Sequence, residues 1–249
     1  MRILGVIPSR WGSTRFPGKS LHPIMGKPLV CWVVEAVQRA RRLDDVIVAT
    51  DDVRIADAVR GLGVRVAMTS PDHPSGTDRV AEAAQAADDD VVINIQGDEP
   101  LIEPALIDTL ADKLASDAHW EMATAACPIT DARELAAPSV VKVVLASDDG
   151  ALYFSRAPIP CRRDGPPDLN TGLYWRHLGI YAYRGSFLNR LVQEAPCLLE
   201  QTEMLEQLRA LYLGARIAVI RTEAIGIGVD TPADVGRLED ELRRRGRME

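Results

Sequence analysis

Four short runs dominated by apolar residues, each leading into a segment that reads as a helix, limit this chain more than any other feature of its 249 residues. The runs are 3–7, 46–50, 64–68 and 91–95. They do not alternate polar with apolar, so they need cover on both faces, as strands of a parallel sheet do. The segments between them carry helical signals. Pro28 fits the first turn of a helix through Trp32, Val33 and Val37. Asp51 suits the N-cap of a second, through Ile55, Ala58 and Val59. Residues 77–87 and 104–114 give two more. Strands alternating with helices predict βαβ units and a Rossmann-like, mostly parallel sheet flanked by helices. On such sheets ligands bind at the carboxyl ends of the strands, so chemistry is sought there first.

From residue 140 the character changes. Residues 140–145, a turn at Asp148-Asp149-Gly150 and residues 151–155 read as an antiparallel hairpin. Residues 158–171, rich in Pro, Gly and charge, read as an exposed loop, and 177–183 as an alternating strand. Helices are expected over 203–211 and 232–244, with a strand over 217–221 between them. No linker or internal repeat interrupts the pattern. The expectation is one α/β domain over 1–249, with a small antiparallel flap inserted at roughly 140–190 and suited to dimerisation.

Several function classes are excluded. The opening apolar run breaks at Pro8, too early for a secretion signal, and no segment is long and apolar enough to span a bilayer. Cys31, Cys127, Cys161 and Cys197 are scattered without a CxxC pair, which disfavours a zinc site or disulfide framework and fits a reduced cytoplasm. The net charge of −7 argues against nucleic acid. Yet Arg2, Arg10, Arg15, Lys19 and Lys27 all precede the first acidic residue, Glu35. An acidic protein with a cationic, acid-free opening predicts a local anion site.

That opening holds the first constellation, Pro8-Ser-Arg-Trp-Gly-Ser-Thr-Arg-Phe-Pro-Gly-Lys19. Following a strand, its backbone N–H groups can cradle phosphate oxygens, Arg side chains offer forked donors, and Lys19 adds a point charge. It is not a P-loop. Five residues separate Gly12 from Gly18 where that motif has four, and Pro23 and Gly26 intervene before any helix. The second is Asp98, just past a buried strand and beside Gln96 and Gly97. A carboxylate there suits Mg²⁺, although an Asp opening a turn before Pro100 would serve as well. The third is Asp230, between flanking glycines and the helix start Thr231-Pro232, with Asp234 at the third helical position. Thr231 accounts for the cap, which leaves Asp230 as a second metal ligand or as a favourable charge at the helix N-terminus. A fourth segment, Ser75-Gly-Thr-Asp-Arg79, could let a flat base approach the backbone or simply cap a helix.

The stretches IPSRWGSTRFPGKSL, IVATDD, SPDHPSGTDR, VINIQGDEP, VKVVL, ALYFSRAPIP, RHLGIYAYR, EMLEQLR and GVDTPAD, taken together, closely resemble the 3-deoxy-manno-octulosonate (Kdo) cytidylyltransferases, in the family's order and across nearly the whole chain. The resemblance implies the nucleotide-diphospho-sugar transferase type of fold. It implies transfer of CMP from CTP to the anomeric hydroxyl of Kdo, giving CMP-Kdo and pyrophosphate for lipopolysaccharide assembly. It also implies a homodimer and magnesium. By match to the family's motifs, Arg10, Ser13, Arg15 and Lys19 hold the triphosphate, and Ser75, Gly76 and Arg79 hold the cytosine and ribose side. Asp98 and Asp230 bind Mg²⁺. Gln96, Arg156, His177, Tyr183, Glu206 and Gln207 line the sugar pocket. Lys19, Arg15, Asp98 and Asp230 form the catalytic set. Ser20 stands where the family often has Pro, and Phe16 where it often has Leu. A relative acting on sialate or 8-amino-Kdo, or a non-catalytic nucleotide binder on the same scaffold, are the competing readings.

Overall fold

The computed structural model describes residues 1–12, 16–223, 226 and 228–246. In chain order, β1 (Ile3–Pro8) is followed by a two-stranded ribbon, β2 (Pro23–Ile24) and β3 (Lys27–Pro28), and by helix α1 (Leu29–Val37). Then come β4 (Asp45–Thr50), α2 (Val53–Val59), β5 (Arg65–Met68), α3 (Gly76–Ala84), β6 (Val91–Asn94) and α4 (Pro104–Ser116). The next elements are β7 (Met122–Pro128), α5 (Ala132–Ala136), β8 (Lys142–Leu145), β9 (Ala151–Ser155) and β10 (Trp175–Arg184). The chain ends with α6 (Gly185–Leu191), α7 (Leu198–Glu203), α8 (Gln207–Tyr212), β11 (Ile217–Arg221) and α9 (Pro232–Arg245). It divides into two compact units. The first comprises Met1–Ala86, Val92–Asp108 and Gly226–Glu249, and the second Ala87–Val91 and Thr109–Ile225.

In the first unit the strands lie in the order β6-β1-β4-β5. β1 runs parallel to β4, with Val6 opposite Ile47, and β4 runs parallel to β5. The chain moves outward from β1 through β4 and β5 and then returns to β1's other side with β6. The order therefore reverses at β1, and the carboxyl ends of β1 and β6 form the crevice where such sheets take ligands. Val6, Ile7, Ile47, Val48 and Val91 to Ile93 are fully buried, as their apolar runs require. A satellite core of Phe16, Ile24, Leu29, Leu101, Val229 and Leu238 anchors the segment after β6 and helix α9. Two sequence expectations shift here. Pro28 is the residue before α1, still paired in the ribbon, rather than part of the first turn. The N-cap of α2 is Asp52, whose carboxylate accepts from the Arg54 N–H, and not Asp51. Asp51 is drawn away by other donors, the Trp11 N–H at 3.1 Å and the Arg79 guanidinium at 3.0 Å.

The second unit is mixed. β7 pairs parallel with β11 and antiparallel with β10, and β10 pairs antiparallel with β8. β8 and β9 form the expected antiparallel hairpin. β7 itself was not among the expected elements, because its Ala-Thr-Ala-Ala-Cys interior lacks the bulky β-branched signal of a strand. Those small residues are fully buried at its centre. The helix expected over 203–211 is two helices. Met204 adopts a left-handed conformation (φ 53°) that closes α7, and α8 restarts at Gln207.

Candidate active site

At the crevice of the first unit, a cavity of about 300 Å³ is lined by Arg10, Lys19, Ser75, Gly76, Arg79, Gln96, Asp98 and Asp230. Ser9, Ser20, His73, Pro74 and Gly97 complete its wall with Pro8. Of these, the sequence reading gave no individual role to His73 and Pro74. Ser13 and Arg15, assigned to the phosphates by resemblance, lie outside the described residues.

Three segments converge at one end of the cavity. Gly18 turns the chain in a left-handed conformation (φ 68°), where a Cβ would press on the Trp11 ring at 3.0 Å. Lys19 begins the short helical turn that follows. Under it, the Ser9 and Ser20 hydroxyls bond at 2.8 Å in a buried position, which fixes the two ends of the cationic loop together. Past β6, Gly97 passes so close to β1 that a Cβ would lie 2.7 Å from the Pro8 carbonyl oxygen, so only glycine fits there. This brings Asp98 over the end of β1. The third segment is tied to the second directly, since the Val229 N–H donates to the Asp98 carbonyl at 2.9 Å. Asp230 is then oriented from behind. Its own N–H donates to the Asp234 carboxylate at 3.1 Å, which also accepts the Thr231 N–H and hydroxyl. Burial alone would raise the Asp234 carboxyl. The bonds from Thr231, Arg237 and the Asp230 N–H outweigh it and hold the group at about 2.

The result is a charge triad. Lys19 Nζ lies 2.5 Å from Asp98 Oδ2 and 3.9 Å from Asp230 Oδ1, so two acidic side chains 132 positions apart in sequence share one ammonium. Asp98 remains one-quarter exposed and Asp230 half exposed. Among the described residues no three acidic, His or Cys side chains gather into a ready-made metal cage.

The opposite wall is the N-terminus of α3. Ser75 caps it, accepting from the Thr77 and Asp78 N–H groups at 3.2 Å each and donating to the Asp78 carboxylate at 2.6 Å. Arg79 is buried and fixed, one guanidinium nitrogen on Thr69 and the other on Asp51. Gln96 donates to Asn94 at 3.3 Å.

The remaining assigned residues belong to the second unit. His177 is buried between Phe154 and Tyr181, with its Nε2 2.9 Å from Thr124 Oγ1. The Thr124 hydroxyl donates to the Ile180 carbonyl at 2.8 Å, so it accepts from His177, which assigns the proton to Nε2. Burial pushes the His177 pKa down to about 3, and the ring is neutral at ordinary pH. Tyr181, which the sequence reading passed over, donates to the Gln207 carbonyl oxygen at 3.2 Å and stacks obliquely on Tyr183. The alternation of His177, Tyr181 and Tyr183 along one strand was the available signal. Gln207 is buried, and among the described residues its side-chain nitrogen has no acceptor. Glu206 faces Arg209 at 3.7 Å. The Arg156 guanidinium gives three of its five N–H donors to the carbonyls of Glu203, Pro138 and Met204.

Comparison with known proteins gives a consistent answer. A family profile described as cytidylyltransferase matches residues 4–217. The chain is 48% identical to the 3-deoxy-manno-octulosonate cytidylyltransferase of Geobacter metallireducens, covering 98% of this chain and 99% of that one. It is also 48% identical to the enzyme of the same name from Bdellovibrio bacteriovorus, covering 99% of this chain and all of that one. Among solved structures, CMP:2-keto-3-deoxy-manno-octonic acid synthetase complexed with CTP superimposes with a TM-score of 0.91 at 40% identity, over 98% of this chain and all of the other. The chain belongs to the cytidylyltransferase family, among the 3-deoxy-manno-octulosonate cytidylyltransferases.

Proposed function

We propose that the protein transfers CMP from CTP to the anomeric hydroxyl of Kdo, releasing pyrophosphate and supplying CMP-Kdo for lipopolysaccharide assembly. The observation that carries this reading is the triad: one lysine ammonium between two partly exposed carboxylates, at the switch point of a parallel sheet. A cation is needed there for the transferring phosphate and acids are needed for a metal, and a pure binding protein needs neither arrangement. The names of the relatives and the CTP complex of the structural neighbour support the choice of nucleotide and sugar.

The donor set fits Mg²⁺. Hard carboxylate oxygens from Asp98 and Asp230 are the one or two protein ligands this ion takes when substrate phosphates supply the rest. When bound, the ion neutralises the triphosphate and polarises the attacking hydroxyl. The rest is work for the chain. The anomeric oxygen attacks the α-phosphorus in line and pyrophosphate leaves from the opposite side. Lys19 stabilises charge gathering on the phosphate oxygens, with Arg10 and Arg15 on the outer phosphates. Ser75, Gly76 and Arg79 hold the nucleoside end. On the sugar side Gln207 is the strongest candidate, since a buried amide nitrogen without an acceptor suits a ligand hydroxyl. We assign Gln96, His177, Tyr183, Glu206 and Arg156 to the sugar pocket on the family resemblance. The partner is a second copy of the chain. Exposed Leu152, Leu173, Leu198, Met204 and Tyr212 on the second unit supply apolar surface for it. No helix among the described residues is long and apolar enough to cross a membrane, and we place the reaction in the cytoplasm, where CTP is made.

The test is pyrophosphate release from CTP with magnesium, with Kdo, sialate or no acceptor. Rapid release with Kdo alone is expected. Equal release with sialate, or none with Kdo, overturns the substrate assignment.

A further inference from the structure

His73 and Glu82 lie outside every role assigned so far, yet His73 lines the cavity and Glu82 is bonded to it. The segment 70–75 joins β5 to α3, and its two prolines, Pro71 and Pro74, restrict the backbone. Glu82, on the second turn of α3, reaches back to this segment. Its Oε2 accepts the Ser70 N–H at 3.0 Å and also bonds Nε2 of the His73 ring. The Ser70 hydroxyl accepts the Asp72 N–H at 3.1 Å, and Ser75 is held by Asp78. Each end of the segment is thus fastened to α3. His73 lines the cavity beside Ser75, Gly76 and Arg79, with its side chain four-fifths buried.

An ionised carboxylate can only accept, so the proton of the Glu82–His73 contact sits on Nε2. Glu82 stays ionised: the His73 bond, helped by the Ser70 N–H, lowers its pKa. The ring is therefore held in one orientation with Nδ1 as its remaining polar atom.

We infer that His73 is a nucleotide-binding residue and Glu82 its positioning residue, so that the fastened 70–75 segment presents an imidazole edge to the ribose and base of CTP. The inference rests on the reading of this cavity as the nucleotide site. A neutral ring accepts a ribose hydroxyl proton at Nδ1, and a protonated ring donates to a base acceptor. In either state the contact is made to the nucleoside and not to the atoms that react. Binding of CTP should therefore depend on this pair while the chemical step does not.

The experiment measures KM for CTP, KM for Kdo and kcat by pyrophosphate release. It adds the Kd for CTP by calorimetry and the melting temperature. His73→Ala and Glu82→Ala should each raise KM and Kd for CTP about ten-fold, the value of one lost hydrogen bond to an oriented or charged group. kcat should stay within about two-fold and KM for Kdo should not move. The double variant should be no worse than either single, because the two residues act as one unit. Glu82→Gln should recover most of the loss, since an amide oxygen still accepts from Ser70 and from Nε2. If Glu82→Ala lowers only the melting temperature, or the double variant multiplies the two single effects, the inference fails. Lys19→Ala separates the two readings. If it weakens CTP binding while Glu82→Ala does not, only the inference falls. If neither weakens it, the cavity is not the nucleotide site and both fall.

Discussion

Lys19 and Lys142 are both nearly withdrawn from water, and they are used in opposite ways. Lys19 faces two carboxylates at the edge of a cavity, and those carboxylates keep part of their surface exposed. Lys142 is wholly buried in the second unit, and its three N–H donors go to the carbonyls of Ala137, Val140 and Arg156 at 3.0, 2.7 and 2.6 Å. Burial lowers its pKa, although Glu203 nearby counters this. Arg156 follows the pattern only in part, with three of its five N–H donors on carbonyls, and Glu203 accepts the Ser155 hydroxyl and the Arg156 N–H. A charge whose bonds end on backbone carbonyls is structural, because moving it would orphan buried acceptors. A charge that meets exposed opposite charges can exchange them for a ligand's. The difference lies in whether the surrounding partners are themselves already satisfied.

The comparison is most easily broken in the first unit. Asp98→Asn should lower pyrophosphate release from CTP and Kdo by about a hundred-fold or more, with the melting temperature within a few degrees of the parent; near-normal turnover would remove Asp98 from the machinery. In the second unit the effects reverse. Lys142→Met takes the lysine donor from three part-buried carbonyls, of which, among the described residues, only that of Ala137 keeps another, the Val140 N–H, and should cost about 3 kcal/mol, roughly 10 °C in Tm, while kcat of the still-folded protein changes little. A Tm within a degree of wild type would show that Lys142 is not structural. Next in size is a pH effect at His177. The folded state holds its pKa at about 3 against an ordinary 6.5, so the unfolded chain binds the proton first as pH falls. Stability is complete above about pH 6.5 and declines towards pH 3. His177→Gln should flatten the slope of Tm between pH 6.5 and 5, and an unchanged slope assigns it to other groups. The smallest effect is expected at the start of α9. Asp234→Ala should cost about 1 kcal/mol in denaturant melts, and because Asp234 also accepts the Asp230 N–H, CTP turnover should drop a few-fold with it.

Much of the first unit was legible. The apolar runs in β1, β4 and β6 left little choice but burial on both faces, whereas β5, which carries Arg65 and ends the sheet, is only partly buried; the crevice came from the strand order in the structure. Lys19, Asp98 and Asp230 were each marked by neighbouring glycines. His73 was harder to see, because a histidine between two prolines carries no signal until Glu82 is known to lie beside it. In the second unit β7 was missed because alanine is not a strand former in isolation. The single helix expected over 203–211 was broken because the periodicity across Met204 hides a left-handed residue. Asp51 shows the same limit at one position. Its place before α2 made it a good cap, but donors from Trp11 and Arg79, distant in the chain, outbid the helix.

By itself the sequence determined the layer architecture and which side chains carry charge into the carboxyl ends of the strands. These are local properties, set by backbone sterics and by the apolar period of each segment. Tertiary structure alone decided that Asp98 and Asp230 share Lys19, that Lys142 is consumed by carbonyls, and that His177 is neutral. Each of those depends on distance and burial, and electrostatic energy follows separation in space and access of water, which no spacing along the chain fixes.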